Sequence, residues 1–456
     1  MLFSSQVFLL LFLPLVLFLF HRPWLQRRGQ VGLVLVASGL FYAWWDIRFL
    51  PLLFALIGAN WIIAQCYCSK PRPAIIISGI VLNLAVIGGF KYANFFAESV
   101  LTAFGWQFQP WSIILPLGIS FFTFQQISYL VDLNRGRARS YPLLDYAAYV
   151  SFFPELIAGP IVRHNELIPQ FDRLGTSVAA ETFARGLTLF ILGLVKKVFF
   201  ADELAPFADQ GFDLLAAGGS VDTTLAWQSA LAYSLQLYFD FSSYSDMALG
   251  LAAMFGLELP LNFDRPYRAL NIREFWRRWH MTLSRFFRDY VYIPMGGNQH
   301  GLMGICAVAF ATMLLCGLWH GAGWTFIAWG ALHGGAIAVA RVWLKTGVRV
   351  PAPAAWLLTM MFVVVGWVLF RAETFEVANA MLVAMTRFEF GAADAKAWWF
   401  VAIGAVAACV GPTNVELSCR NALSRYWTAI ALGLAIFAVV LRVGQGREIE
   451  FIYFQF

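Results

Sequence analysis

Uncharged apolar runs long enough to cross a bilayer recur along the whole of this 456-residue chain. A hydrocarbon core of roughly 30 Å needs about 20 helical residues. Residues 1–20, 49–69, 99–131, 301–340, 350–370 and 397–415 supply such lengths without one Asp, Glu, Lys or Arg. Composition agrees, with 60% hydrophobic and 13% charged residues and a mean hydropathy of +0.68. Soluble domains carry about a quarter charged residues. The fold expected is all-α: a polytopic integral membrane protein with about 10–12 transmembrane helices, plus re-entrant or interfacial ones. A membrane β-barrel would alternate apolar and polar residues over about ten positions, and these runs do not.

Charge sets the expected orientation. Basic loops at 22–28, 70–72 and 135–139 alternate with segments poorer in Lys and Arg, around 46–48 and 93–110. The positive-inside rule then puts these basic loops in the cytoplasm and Met1 on the opposite, outer side. The net charge of +6 suits loops beside anionic lipid, and no nucleic acid partner is expected. The start lacks a basic n-region and a small-residue cleavage site, so a cleaved signal is not expected. Six scattered cysteines read as small buried hydrophobes. No linker divides the chain, which reads as one transmembrane domain over 1–456.

Three stretches depart from plain membrane helix. "YVSFFPELIAGPIVRHNELIPQF", 149–171, combines Pro154, Gly159, Pro160 and Pro169 with Glu155, Arg163, His164 and Glu166. Irregular backbone at membrane depth persists only when buried in protein or lining water, so a re-entrant or interfacial segment is expected. "YFDFSSYSDMALG", 238–250, places Asp240 and Asp246 in apolar surroundings, where carboxylates usually face a polar interior. "NIREFWRRWHMTLSRFFRDYVYIPMGGN", 271–298, is rich in arginine and aromatics. Wound as one helix over 273–290, Phe275, Trp276, Trp279, Leu283, Phe286, Phe287 and Tyr290 share a face, with Arg273, Arg277, Arg278, Arg285 and Arg288 opposite or beside it. That pattern predicts a helix lying in the cytoplasmic interface. His280 falls with the apolar set.

The remaining chemistry is carried by histidine. His21 and His300 read as loop residues, and His164 beside Arg163 is a candidate anion ligand. His320 lies in the uncharged run 301–340, between Gly317, Gly321 and Gly323 and beside Trp319 and Trp324. Two readings stand for it: a catalytic imidazole, or a core histidine bonded across helices. On one straight helix His333 would point about 220° away from His320, which predicts a separate contact between helices. No H-E-x-x-H, G-x-S-x-G, Walker or dinucleotide pattern occurs, so no metal and no bound cofactor is expected.

"FKYANFF", "LPLGISFFTFQQISYLVDLNRG", "FFPELIAGPIVR", "GLVKKVFFADELA", "YFDFSSYSDMALG", "FWRRWHMTLSRFFRDYVYIPMGGN" and "LWHGAGWTFIAWGALHG" together resemble the membrane-bound O-acyltransferases. The likeness is to the bacterial branch serving O-acetylation of alginate and cellulose. It covers a core of about 1–340, with 341–456 as additional C-terminal helices. Ser243, Glu155 and "GGNQHG" depart from the usual pattern. The resemblance implies a ring of tilted helices around a thin centre, with His280 and His320 as the catalytic pair. It also implies a periplasmic SGNH (serine-hydrolase-like) acetyltransferase partner and a polysaccharide synthase complex.

The mechanism expected is acyl transfer from acetyl-CoA, as substrate, on the cytoplasmic side. His320 is the base, and His280 orients it, polarises the carbonyl or helps the thiolate leave. Trp319 and Trp324 wall the groove beside His320, Trp276 supports the site or binds substrate, Arg277 and Arg278 meet the donor phosphates, and Asp240 or Asp246 offers a proton relay. A flippase or transporter of a lipid-linked or acyl intermediate, or an inert scaffold of a secretion complex, are the competing readings.

Overall fold

The computed structural model describes residues 1–420, 426–445 and 449–452. Among them the regular elements are helices. Six are long and apolar enough to cross a membrane: Ile47–Ser69, Pro73–Ala103, Gly301–His320, Trp324–Thr346, Ala352–Arg371 and Tyr426–Val443. Their apolar sides face outward; within the most apolar window of Tyr426–Val443 only 17% is buried in protein, the pattern a lipid-facing helix needs. Phe8–Phe20, Phe375–Ala384 and Ala395–Cys409 are shorter apolar helices. One expected span is corrected. The run 99–131 holds no continuous helix, because Pro73–Ala103 ends early in it, 104–118 is non-helical, and Ile119–Asn134 follows as a largely buried helix. Pro110 and Pro116 lie in that break, and proline cannot donate to a helix ladder.

The chain divides into two compact units. The first comprises Met1–Leu194, Tyr244–Leu261 and Leu417–Glu450. At its centre Phe3, Phe8, Phe41 and Phe153 pack ring against ring. Phe153 belongs to the irregular stretch 152–163, which follows the Leu143–Ser151 helix and is buried almost throughout. Its polar backbone is met by side chains: Phe153 N–H donates to Ser38 Oγ at 3.0 Å and Tyr149 O–H to the Val162 carbonyl at 3.0 Å. Burial in protein is one of the two settings, with water, in which irregular backbone persists at membrane depth. His164, expected as an anion ligand, instead meets Tyr141 O–H at 3.0 Å and the Asp132 carboxylate at 3.4 Å. A carboxylate on the imidazole leaves no place for an anion.

The second unit comprises Val195–Ser243, Asn262–Glu416 and Phe451–Phe456, described to Ile452. Its frame is a hairpin of two apolar helices, Gly301–His320 and Trp324–Thr346, reversed at Gly321–Gly323 where both flanking glycines are fully extended. The run 301–340 is therefore two helices. Gly317 and Gly330 face one another at the crossing: a Cβ on Gly317 would strike the Phe326 carbonyl, and one on Gly330 the Met313 carbonyl. Backbone cannot yield as a flexible side chain can, so this crossing tolerates hydrogen alone.

Gly335 lies in the same helix with open space beside it, and supplies the control. Gly330→Ala should destabilise the protein by about 1–3 kcal/mol through overpacking, whereas Gly335→Ala should be neutral or stabilising by up to about 1 kcal/mol. Thermal unfolding of both variants in detergent reads the difference.

Candidate active site

All the geometry that follows lies within the second unit. The single 273–290 helix expected from the sequence is interrupted. Ile272–Arg278 is helical, Trp279 is extended, His280 adopts φ 43° and ψ 55°, and Met281–Phe287 resumes the helix. A left-handed non-glycine residue costs roughly 1–2 kcal/mol, so something must hold it there. Asn262 does. Its backbone carbonyl accepts Met281 N–H at 2.9 Å. Its side-chain oxygen accepts Thr282 O–H at 2.8 Å, Thr282 N–H at 3.3 Å and the His280 ring at 3.0 Å. Periodicity reads face, not a break made by a residue 18 positions upstream; Asn262 sits in "PLNF", which carries no signal.

The clamp also fixes a tautomer. A backbone N–H can only donate, so the Asn262 atom it meets is the oxygen, and the His280 Nδ1 facing that oxygen must carry the proton. Nε2 is then the acceptor of the neutral ring. His280 is fully buried, and burial pushes its imidazole down to about 3, so the ring is neutral at physiological pH. Phe241 meets it edge-on at 4.6 Å and Trp319 lies 6.2 Å away between centroids.

His320 ends the first arm of the hairpin and is buried. Trp319 stands 4.8 Å from it, Trp329 5.1 Å and Phe370 5.1 Å, all edge-on. Trp319 is thus the common neighbour of the two histidines. Because the helix reverses at 321–323, His333 is not turned away from His320 as on a straight rod; both press on Trp329, His333 at 4.7 Å. The expected contact between helices is present as well: Trp276 Nε1–H donates to His333 Nδ1 at 3.2 Å, joining the Ile272–Arg278 helix to the second arm. Trp329 and Phe370 were not singled out from sequence, since both read as ordinary core aromatics.

The other candidates divide. Trp276 and Trp319 are buried in this aromatic cluster. Arg277 is exposed, while Arg278 is committed, donating to Glu274 at 3.0 Å and Asp264 at 3.2 Å. Asp240 is one residue from Phe241, yet its carboxylate turns to buried Lys197 at 2.6 Å and accepts Ile452 N–H at 2.7 Å. Lys197 also meets Asp202 at 2.8 Å. Asp240 therefore anchors an ion pair, not a histidine. Asp246 belongs to the first unit. Among the described residues no group of three or more His, Cys, Asp or Glu side chains is placed to hold a metal ion.

The Trp276–His333 bond is testable without any assay of chemistry. His333→Leu strands a buried indole N–H and should cost about 1–3 kcal/mol. His333→Asn places an amide oxygen near the Nδ1 position and should recover most of that. Adding Trp276→Phe to His333→Leu should cost less than the sum of the single changes, as a double-mutant cycle of thermal unfolding would read.

Comparison with known proteins identifies the family. The model of the membrane-bound O-acyltransferase family, MBOAT, matches residues 120–371, a range holding both His280 and His320. The chain is 46% identical over 402 residues to a probable alginate O-acetylase of Pseudomonas aeruginosa, covering 86% of this chain and 75% of that protein. It is 40% identical over 431 residues to a peptidoglycan O-acetyltransferase of Helicobacter pylori, covering 84% and 80%. A teichoic acid D-alanyltransferase of Streptococcus thermophilus is 29% identical over 255 residues, 51% of this chain and 59% of that protein. With a family model over more than half its length, and relatives of this identity along most of it, the chain belongs to the membrane-bound O-acyltransferase family and is a multi-pass membrane O-acyltransferase.

Proposed function

We propose that this O-acyltransferase takes an acetyl group from a cytoplasmic thioester, acetyl-CoA, and delivers it across the inner membrane for O-acetylation of an exported polysaccharide. The observation that carries the reading is the pair of buried imidazoles on either side of Trp319, one of them with its tautomer set by Asn262. His320 is the base. It takes the proton of the acceptor hydroxyl as the oxygen attacks the thioester carbonyl; the C–S bond then breaks and the imidazolium returns the proton to the departing thiolate. Of the roles open to His280, orientation fits best. Its Nε2 accepts rather than donates, so it can align a hydroxyl or the His320 ring but cannot polarise a carbonyl while neutral.

The relatives act, by their names, on alginate, peptidoglycan and teichoic acid, which supports an exported polymer as the final acceptor; cellulose belongs to the same chemical class. A periplasmic SGNH acetyltransferase receiving the group, beside a synthase complex, accounts for how a membrane-embedded site serves a polymer outside. Arg277 is the better donor ligand of the two arginines expected, because Arg278 is neutralised by two carboxylates. Arg273, which lies near both Arg277 and Arg341, adds positive charge, suited to coenzyme A phosphates.

A general base contributes about 10²–10⁴-fold to rate, so His320→Ala should lower acetyl-CoA-dependent CoA release by at least about 100-fold in a protein of normal yield. His280→Gln, which keeps an acceptor near Nε2, should retain part of the rate that His280→Ala loses. Undiminished CoA release by His320→Ala would remove it as the base. Arg277→Gln should raise the KM for acetyl-CoA with little change in yield, and an unmoved KM would end its donor role.

Orientation has its own test. Arg137 is exposed and should be cytoplasmic. A cysteine placed there, in a background lacking the exposed Cys66, Cys68 and Cys419, should resist an impermeant thiol reagent in intact cells. Rapid labelling would reverse the topology.

A further inference from the structure

Glu155 is one of the departures from the family pattern, and acyl transfer makes no use of it. It lies in the buried irregular stretch of the first unit and is only 2% exposed. Its inventory of partners is short. Gln125 Nε2–H donates to Oε1 at 2.8 Å. Among the described residues Oε2 has no hydrogen-bond partner and no ion pair, and neither does the Gln125 Oε1 of the same amide. An ionised carboxylate is an acceptor only, so as a carboxylate Glu155 would keep one oxygen bare, beside an amide oxygen equally bare. Two acceptors left over on one bonded pair of groups are what a missing proton looks like.

The structure assigns to Glu155 a bound proton: we infer that it is a neutral carboxylic acid in the folded protein, donating from Oε2 to the Gln125 amide oxygen while accepting the amide N–H at Oε1. One proton on one oxygen satisfies both orphan atoms and closes a two-bond acid–amide ring, with no further ligand needed. The surroundings favour the neutral form. The titratable groups facing it are Glu166, on the turn that follows, whose like charge opposes ionisation, and the Tyr244 phenol, which carries no positive charge. Burial, the largest influence, drives the carboxyl well above its ordinary range. Among the described residues no basic side chain is paired with it to offset that.

The sign of the pH dependence follows. A carboxyl whose folded-state pKa is raised stabilises fully below the ordinary glutamate range, near about 4.3, and that stability is lost as pH rises through the folded value. Ionisation would put an unpaired carboxylate into the packing around Phe153. Gln at position 155 has the same shape and no proton to lose.

Infrared spectroscopy of the purified full-length protein at neutral pH tests the assignment. The wild type should show the carbonyl stretch of a protonated carboxylic acid that Glu155→Gln lacks, with the carboxylate absorption unchanged. Loss of carboxylate absorption in Glu155→Gln, with the acid band intact, would overturn it, for Glu155 would then be ionised. Should Glu155→Gln fail to accumulate, Gln125→Leu serves: it removes the bonding partner, so the acid band should persist but move, and a band that stays in place would overturn the pairing. Thermal midpoints supply the second reading. The advantage of Glu155→Gln over wild type should widen as pH rises between about 5 and 9; a difference flat with pH would mean that the position is structural only. These outcomes are independent of CoA release, so they stand apart from the acyl-transfer reading.

Discussion

Lipid offers no hydrogen bonds, and that constraint organises everything else here. A backbone crossing hydrocarbon must satisfy itself, so the spans are helices, and irregular backbone such as 152–163 is buried in protein. The breaks are therefore where polar side chains gather. At 152–163 Ser38 and Tyr149 complete the backbone bonds; at 279–281 Asn262 does so; at 321–323 two extended glycines turn the chain between apolar helices. Glu155, His280 and His320 sit in or beside these three places. Chemistry is concentrated where helix geometry fails because only there does the interior hold donors and acceptors not already spent on the ladder.

The second unit shows how such a break becomes a site. Asn262 holds His280 in a conformation that costs free energy, and the same oxygen orients its ring and selects its tautomer. Close approach at Gly317 and Gly330 brings the second arm of the hairpin onto the first, and Trp329 meets both His320, edge-on, and His333, tilted. Aromatic rings surround the buried His280 and His320 side chains. The base proposed at His320 would work in such a buried, aromatic setting.

Charge in the interior follows a different rule. Lys197 lies among Asp202, Asp240 and the Phe451 ring, a cation fully compensated by neighbours. Its partner Asp240 is engaged by that pairing and by Ile452 N–H, so this buried carboxylate marks an ion pair. Among the described residues Glu155 has no such cation, and protonation is the alternative that the same desolvation cost leaves open.

Much of this was legible in residue order. The apolar runs dictated a helical membrane protein, since burial of apolar surface in lipid depends on local composition and length alone. Glycine and tryptophan around His320 marked it, and proline with carboxylate marked 149–171 as irregular. What residue order could not supply was anything set by distant partners. A helical wheel drawn over 273–290 has no means of showing that Asn262 breaks it, and a straight rod through 301–340 sends His320 and His333 apart when a glycine turn returns them to one tryptophan. Arg277 and Arg278 look equivalent until Asp264 and Glu274 claim one of them. Helix formation is decided by neighbours within a turn or two; tautomer, ion pairing and the company a histidine keeps are decided by contacts across tens of residues, which only the tertiary structure contains.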